Sequence, residues 1–254
     1  MLKKFVLVTR GRTGSTAVLD ELGKSSRLCT TQELFLRQPT SAKNWNHYYS
    51  LLPPFDLWKQ QGGWWKRRFP YYDSDRQQAR RYLVHAETLA HRKGVEGFGW
   101  KVLSHQFEER PFLSELLERH GYRAIYLRRN SVRQVLSGMV ANQRGIYNSL
   151  EKIVDERRYH IEIDRFQWLV RWERECLKND CVGLATAGFD FIEISYEDFC
   201  ADRHAFYANI FHFLNLPMEL PPASDFVKVI DDPKSVIENY DEVSAAAVAL
   251  GEAL

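Results

Sequence analysis

Along this chain, short uninterrupted apolar runs alternate with longer stretches whose apolar residues recur at helical spacing. Runs at about 4–9, 98–103, 123–128 and 190–195 lack polar alternation, the pattern of strands covered on both faces, and a short fifth strand fits 27–30. Helical periodicity places helices at roughly 16–24, 75–92, 111–120, 132–143, 162–178 and 203–214. Strands that alternate with helices in this way predict an α/β fold with a central parallel sheet. No repeat or low-complexity tract interrupts the pattern.

One stretch does break it. From Thr40 to Tyr72 the chain holds Trp45, Tyr48, Tyr49, Trp58, Trp64, Trp65, Tyr71 and Tyr72, interleaved with Lys66, Arg67 and Arg68. The expectation is a single domain over 1–254 with an insertion at about 40–95 that covers the mouth of a site. Its aromatics either pack the insertion onto the sheet or form a wall for a ligand, since sugar rings stack on Trp and Tyr. A platform for single-stranded nucleic acid uses the same residue types but needs a more positive chain than one with a formal net charge of +2, so no nucleic-acid partner is expected.

The remaining bulk properties narrow the class only a little. The four cysteines, Cys29, Cys176, Cys181 and Cys200, show no C-x-x-C spacing and no matching His pair, so neither a metal site nor a disulfide framework is expected. Reduced thiols in a cytoplasm are the simpler reading. After Met1-Leu2-Lys3-Lys4 only five apolar or neutral residues precede Arg10, too few for a signal peptide or a membrane-spanning segment. Homo-oligomerisation stays open.

Candidate chemistry begins at the end of the first strand. Phe5-Val6-Leu7-Val8-Thr9 leads through Arg10-Gly11 into Arg12-Thr13-Gly14-Ser15-Thr16, and a helical stretch starts at Ala17. A strand that ends in a small, hydroxyl-rich turn and opens a helix aims backbone N–H groups and the helix dipole at one point, which suits a phosphate. The alternative is an ordinary N-cap, with Thr or Ser capping and no ligand. The turn is not a Walker A loop: Gly11 and Gly14 stand too close together and no Lys follows the second glycine, which leaves Arg12 as the cation. A second candidate follows the strand at 123–128, where Arg129 and, eight positions on along the next helix, Ser137 can converge on another phosphate as a rigid fork and an adjustable hydroxyl.

Together these motifs resemble the sulfotransferases that use 3′-phosphoadenosine 5′-phosphosulfate. The first turn is similar to the 5′-phosphosulfate loop P-R-S-G-S-T of the bacterial carbohydrate branch, the relatives of trehalose 2-sulfotransferase, with Gly11 where that branch has Pro. Arg129 and Ser137 match the spacing of the family's 3′-phosphate motif. Glu33-Leu34-Phe35 resembles the end of the branch's G-R-P-x-E-[YW]-F stretch, whose Glu is the general base. Phe98-Gly99-Trp100-Lys101-Val102 is similar to the G-x-K strand, and Tyr196-Glu197-Asp198 to a late Y-E-D segment.

The resemblance implies a P-loop-like three-layer fold and transfer of a sulfuryl group to the hydroxyl of a carbohydrate, glycolipid or small molecule, without a metal. It implies that Arg12 and the N–H groups of Thr13, Gly14, Ser15 and Thr16 hold the 5′-phosphate, that Arg129 and Ser137 hold the 3′-phosphate, and that Lys101 reaches the leaving phosphate or merely extends from its strand end. Two residues compete as base. Glu33 matches the bacterial branch, or else sits in the first turn of a helix; His105 follows its strand as the base does in the eukaryotic cytosolic branch and has the better intrinsic pKa, or else is hydrogen-bonded at a strand end. A P-loop kinase of small molecules or nucleosides and a non-catalytic phosphoadenosine-binding module remain as rivals.

Overall fold

The elements follow in chain order as β1 (Lys3–Thr9), α1 (Ser15–Lys24), β2 (Leu28–Thr31), α2 (Phe55–Gln61), α3 (Asp75–Arg92), β3 (Gly97–Leu103), α4 (His105–Glu109), α5 (Phe112–Arg119), β4 (Arg123–Arg128), α6 (Ser131–Arg144), α7 (Ile163–Thr186), β5 (Phe191–Ser195), α8 (Tyr196–Ala201), α9 (Arg203–Phe213), α10 (Pro233–Val236) and α11 (Tyr240–Ala249). They come from a computed structural model that describes residues 2–37, 51–61, 74–147, 149–150, 157–227, 230 and 232–252.

The five strands form one sheet in the order β2-β3-β1-β4-β5, with every pairing parallel. Period-2 alternation splits their apolar runs between two cores. Val6, Val8, Phe98, Trp100, Ala124 and Tyr126 face one layer built on α3 and α5, with Tyr82, Leu83, Leu113 and Leu117 as its buried residues. Phe5, Leu7, Ile125, Leu127 and Ile194 face the other, built on Val18, Leu19 and Leu22 of α1 and Tyr207, Ile210 and Phe211 of α9. A third cluster joins α6, α7 and α11 through Leu136, Val140, Phe166, Val170, Val243 and Ala247. This is the expected α/β fold, helices on both faces of a parallel sheet.

The connections from β1 and from β4 leave towards opposite edges. A crevice therefore opens at the carboxyl ends of these two neighbouring central strands, the position where open α/β sheets place ligands. Among the described residues, no helix is long and apolar enough to cross a membrane.

Three features differ from the sequence expectation. Helix α7 runs on past residue 178, through Gly183, to Thr186, and ends just before Gly188, which takes a positive φ of 81°. Helices α2, α4, α8, α10 and α11 were not placed by the sequence; the first four are too short to show periodicity, while the Ala-rich Tyr240–Ala249 carried the signal of high helix propensity. The described part of the aromatic stretch belongs to the core. Phe55 of α2 is fully buried, its ring 5.1 Å from that of Phe35 and 5.5 Å from that of Tyr82, and Trp58 lies 5.3 Å from Tyr82. Trp45, Tyr48, Tyr49, Trp64 to Arg68, Tyr71 and Tyr72 fall outside the described residues.

Candidate active site

The loop after β1 is anchored from below. Thr9 donates its hydroxyl to the carbonyl of Leu127 at 2.9 Å, tying β1 to β4, and the Thr13 hydroxyl stands 2.5 Å from that of Thr9. Thr13 is fully buried, so its side chain supports the loop from inside and only its backbone can meet a ligand. Arg12 and Gly14 on either side adopt left-handed backbone, with φ of 67° and 79°. Alternating conformations of this kind turn successive N–H groups towards one concavity, an anion nest at the start of α1. Gly14 admits no side chain, since a Cβ there would lie 2.2 Å from the ring of Tyr196.

Two guanidinium groups meet beside this nest. Arg12 donates to the Ser137 hydroxyl at 3.3 Å and to the Tyr147 carbonyl. Arg129 donates to the Arg12 carbonyl at 3.1 Å and lies 4.9 Å from the centre of the Tyr196 ring. Burial lowers the pKa of both, and for Arg12 the neighbouring Arg129 lowers it further. In each the Nε atom is buried without a hydrogen-bond partner among the described residues. Two half-desolvated cations that disfavour each other's charge are relieved by an anion between them, which is the chemistry of a phosphate or sulfate site.

Opposite them, Lys101 at the end of β3 extends its ammonium to within 2.9 Å of Glu33 Oε1 and 3.4 Å of the Thr16 hydroxyl. The other carboxylate oxygen of Glu33 accepts from the amide of Gln106 at 3.3 Å, and that buried amide in turn accepts from Leu103 N at 3.3 Å. Glu33 thus sits in an irregular turn after β2, held from β3 and α4, and is not in the first turn of a helix.

A cavity of about 260 Å³ is lined by Arg12, Gly14, Ser15, Thr16, Glu33, Lys101, Arg129 and Ser137 together. The fold brings these eight candidates, drawn from four separate stretches of sequence, to one place. His105 is not among them. It is exposed at the first position of α4 and lines a neighbouring cavity of about 460 Å³, which shares Gly11, Arg12 and Leu103 with the first. The two candidate bases therefore face different spaces.

Of the other residues of the first cavity, Phe226, Val227 and Ile230 had no sequence signal. Tyr196, Phe226, Val227 and Ile230 give it an apolar wall suited to a flat ring. Burial pushes the Tyr196 phenol up to about 12, so it stays a neutral donor. Tyr196 belongs to the Tyr-Glu-Asp segment already singled out, but Phe226 lies in a segment without periodicity.

A model of the sulfotransferase family matches residues 5–220 of the chain. Among solved structures, the sulfotransferase domain from the curacin biosynthetic pathway is 15% identical, with a TM-score of 0.52 over 100% of this chain and 99% of that one; the likeness is one of fold. A sulfotransferase from Alicyclobacillus acidocaldarius is 12% identical, with a TM-score of 0.46 over 100% and 98% of the two chains. One from Mycobacterium avium is also 12% identical, with a TM-score of 0.46 over 98% and 76%. No curated protein matches the sequence.

Proposed function

From the premise that this chain belongs to the sulfotransferase family, we propose that its paired-arginine cavity binds 3′-phosphoadenosine 5′-phosphosulfate and that the protein passes the sulfuryl group to an acceptor hydroxyl. The observation that carries the reading is the pair Arg12 and Arg129, two buried guanidinium groups with orphaned Nε atoms beside an anion nest. Nest, guanidinium pair and apolar wall fit a donor that has phosphates at two positions and a purine between them. The 5′ end lies on the nest and Arg12; the 3′-phosphate falls to Arg129 and Ser137, and the base to Tyr196 and Phe226.

In the transfer, the acceptor oxygen forms a bond to sulfur as the bond from sulfur to the bridging oxygen breaks, and the electron pair stays on the departing 5′-phosphate. Arg12 and the loop amides neutralise the charge that collects there. Glu33 takes the proton of the acceptor hydroxyl. Lys101, held between Thr16 and Glu33, is drawn towards a phosphate seated on the loop, and this frees the Glu33 carboxylate for the acceptor. The acceptor approaches from the side of the second cavity, which meets the first at Arg12. The resemblance to the trehalose-sulfotransferase branch favours a sugar hydroxyl. The four cysteines are free, in keeping with a cytoplasmic protein.

Thermal unfolding with added nucleotide tests this reading. At about 100 times its Kd, adenosine 3′,5′-bisphosphate without metal is expected to raise Tm by roughly 5–10 °C. Equal stabilisation by ATP with Mg²⁺ would overturn it in favour of a kinase. Binding of the bisphosphate with no turnover on any hydroxyl acceptor would favour the non-catalytic module.

A further inference from the structure

Arg12 holds a left-handed backbone, with φ of 67°. That conformation is strained for any residue with a Cβ and persists only where the surroundings over-determine it. The residue before it offers no constraint of its own: around a Cβ built on Gly11 nothing lies within 4 Å. The restraint comes from helices α6 and α7. Gln134, buried on α6, donates its amide to the Gly11 carbonyl at 2.9 Å and to Glu173 Oε1 on α7 at 2.7 Å. Glu173 also pairs with Arg10 Nε at 3.0 Å, and the other end of the Arg10 guanidinium meets both oxygens of Asp180 at 3.2 Å. Asp180 accepts in turn from the Ser104 hydroxyl at 2.6 Å and the Tyr126 hydroxyl at 2.9 Å. The two residues preceding Arg12 are thus gripped by one largely buried polar network that joins β4, α6, α7 and Ser104 just after β3.

We propose that Gln134 and Glu173 are positioning residues that clamp Arg10 and Gly11 and so keep Arg12 in the left-handed conformation that aims its guanidinium into the anion cavity. Both line the second cavity, and in this role they act through the loop and not on the donor. Hydrogen bonds supply here the restraint that a side chain ring at position 11 would supply covalently. For its effect on ligand affinity the proposal rests on the donor reading above; for loop order it stands independently.

The test uses the full chain with Gln134→Ala, alone and combined with Gly11→Ala, whose added methyl has room and restricts the backbone. In the ligand-free protein, hydrogen exchange of the peptide spanning residues 10–17 is expected to speed up about 2- to 10-fold in Gln134→Ala, the equivalent of one buried hydrogen bond, with exchange in β4 and α7 unchanged. Affinity for adenosine 3′,5′-bisphosphate is expected to fall by a similar factor, and Gly11→Ala to recover about 2- to 5-fold of both losses. Unchanged loop exchange in Gln134→Ala would overturn the proposal. So would faster exchange spread across α6 and α7 without recovery in the double variant, the mark of a merely structural residue. If the parent protein fails to bind the bisphosphate, the donor reading fails, and the exchange comparison still decides whether the clamp exists.

Discussion

Glu33 and His105 differ in what surrounds them more than in their own chemistry. Glu33 lines the cavity of the two arginines and is oriented by Lys101 at 2.9 Å and Gln106 at 3.3 Å. His105 stands exposed on the neighbouring cavity. A base must be held within reach of the proton it takes, so geometry favours Glu33. On any acceptor that the parent turns over, Glu33→Gln is expected to lower kcat by about 100-fold or more with bisphosphate affinity nearly unchanged, while His105→Ala changes kcat by less than about 5-fold. Steady-state kinetics and calorimetry on the two variants check this; the reverse ranking would move the base role to His105 and the acceptor wholly into the second cavity. At this scale the sequence was informative wherever a residue belonged to a spaced motif. Arg12, Arg129 and Ser137 could be picked out that way. Arg10, Gln134 and Glu173 could not, because a polar residue in a loop or on the inner face of a helix looks like any other until its partner, far along the chain, is known.

The helix opened by the anion nest does a second task. Glu21 of α1 is buried, and its carboxylate accepts from Arg203 at 2.7 and 3.1 Å, from the Tyr207 hydroxyl at 2.8 Å and from Ser224 N at 2.9 Å. Asp20 accepts from the Ser224 hydroxyl at 2.8 Å, and Lys24 reaches the Ala223 carbonyl at 2.9 Å. Helix α1 therefore fastens the segment that leads to Phe226 and Val227, part of the cavity wall. Glu21→Gln leaves Arg203 without its carboxylate and is expected to cost about 2 kcal/mol of stability, allowing for the partial exposure of Arg203. It is also expected to weaken bisphosphate binding. Tyr207→Phe removes one bond to the same carboxylate without touching the segment, so it should lower stability and leave affinity alone. Denaturant titration beside nucleotide binding separates the two; equal affinities for both variants would show that the wall does not depend on the clasp. Such a strap is invisible to periodicity. Helices and buried strands announce themselves in the sequence because each buries a regular face, whereas the segment after α9 is held by single side chains that follow no period.

Over the whole molecule, the order β2-β3-β1-β4-β5 puts the two phosphate-type loops side by side at the carboxyl ends of β1 and β4. The parallel sheet followed from the alternating pattern of unbroken apolar runs and helices, but the strand order did not. The polar network beneath the loops is the part that only the folded chain reveals, and it gives global stability a pH signature. Burial raises the Glu173 carboxyl above its ordinary range, and Arg10 and Gln134 offset this only in part. The folded state therefore holds this proton more tightly than the unfolded chain, whose glutamates titrate near about 4.3. With more protons bound in the folded state, stability from this group is fully present below the ordinary glutamate range and is lost as pH rises through the raised value. Glu173→Gln removes the titration. The stability of the parent relative to Glu173→Gln, read by denaturant unfolding at several pH values, is thus expected to be highest near pH 4 and to decline towards pH 7 (about the span over which a raised glutamate titrates). A difference that instead grows with pH would mean that the ion pair with Arg10 outweighs the burial of Glu173. The network would then hold the loop by charge, and Gln134 would be the lesser half of the clamp.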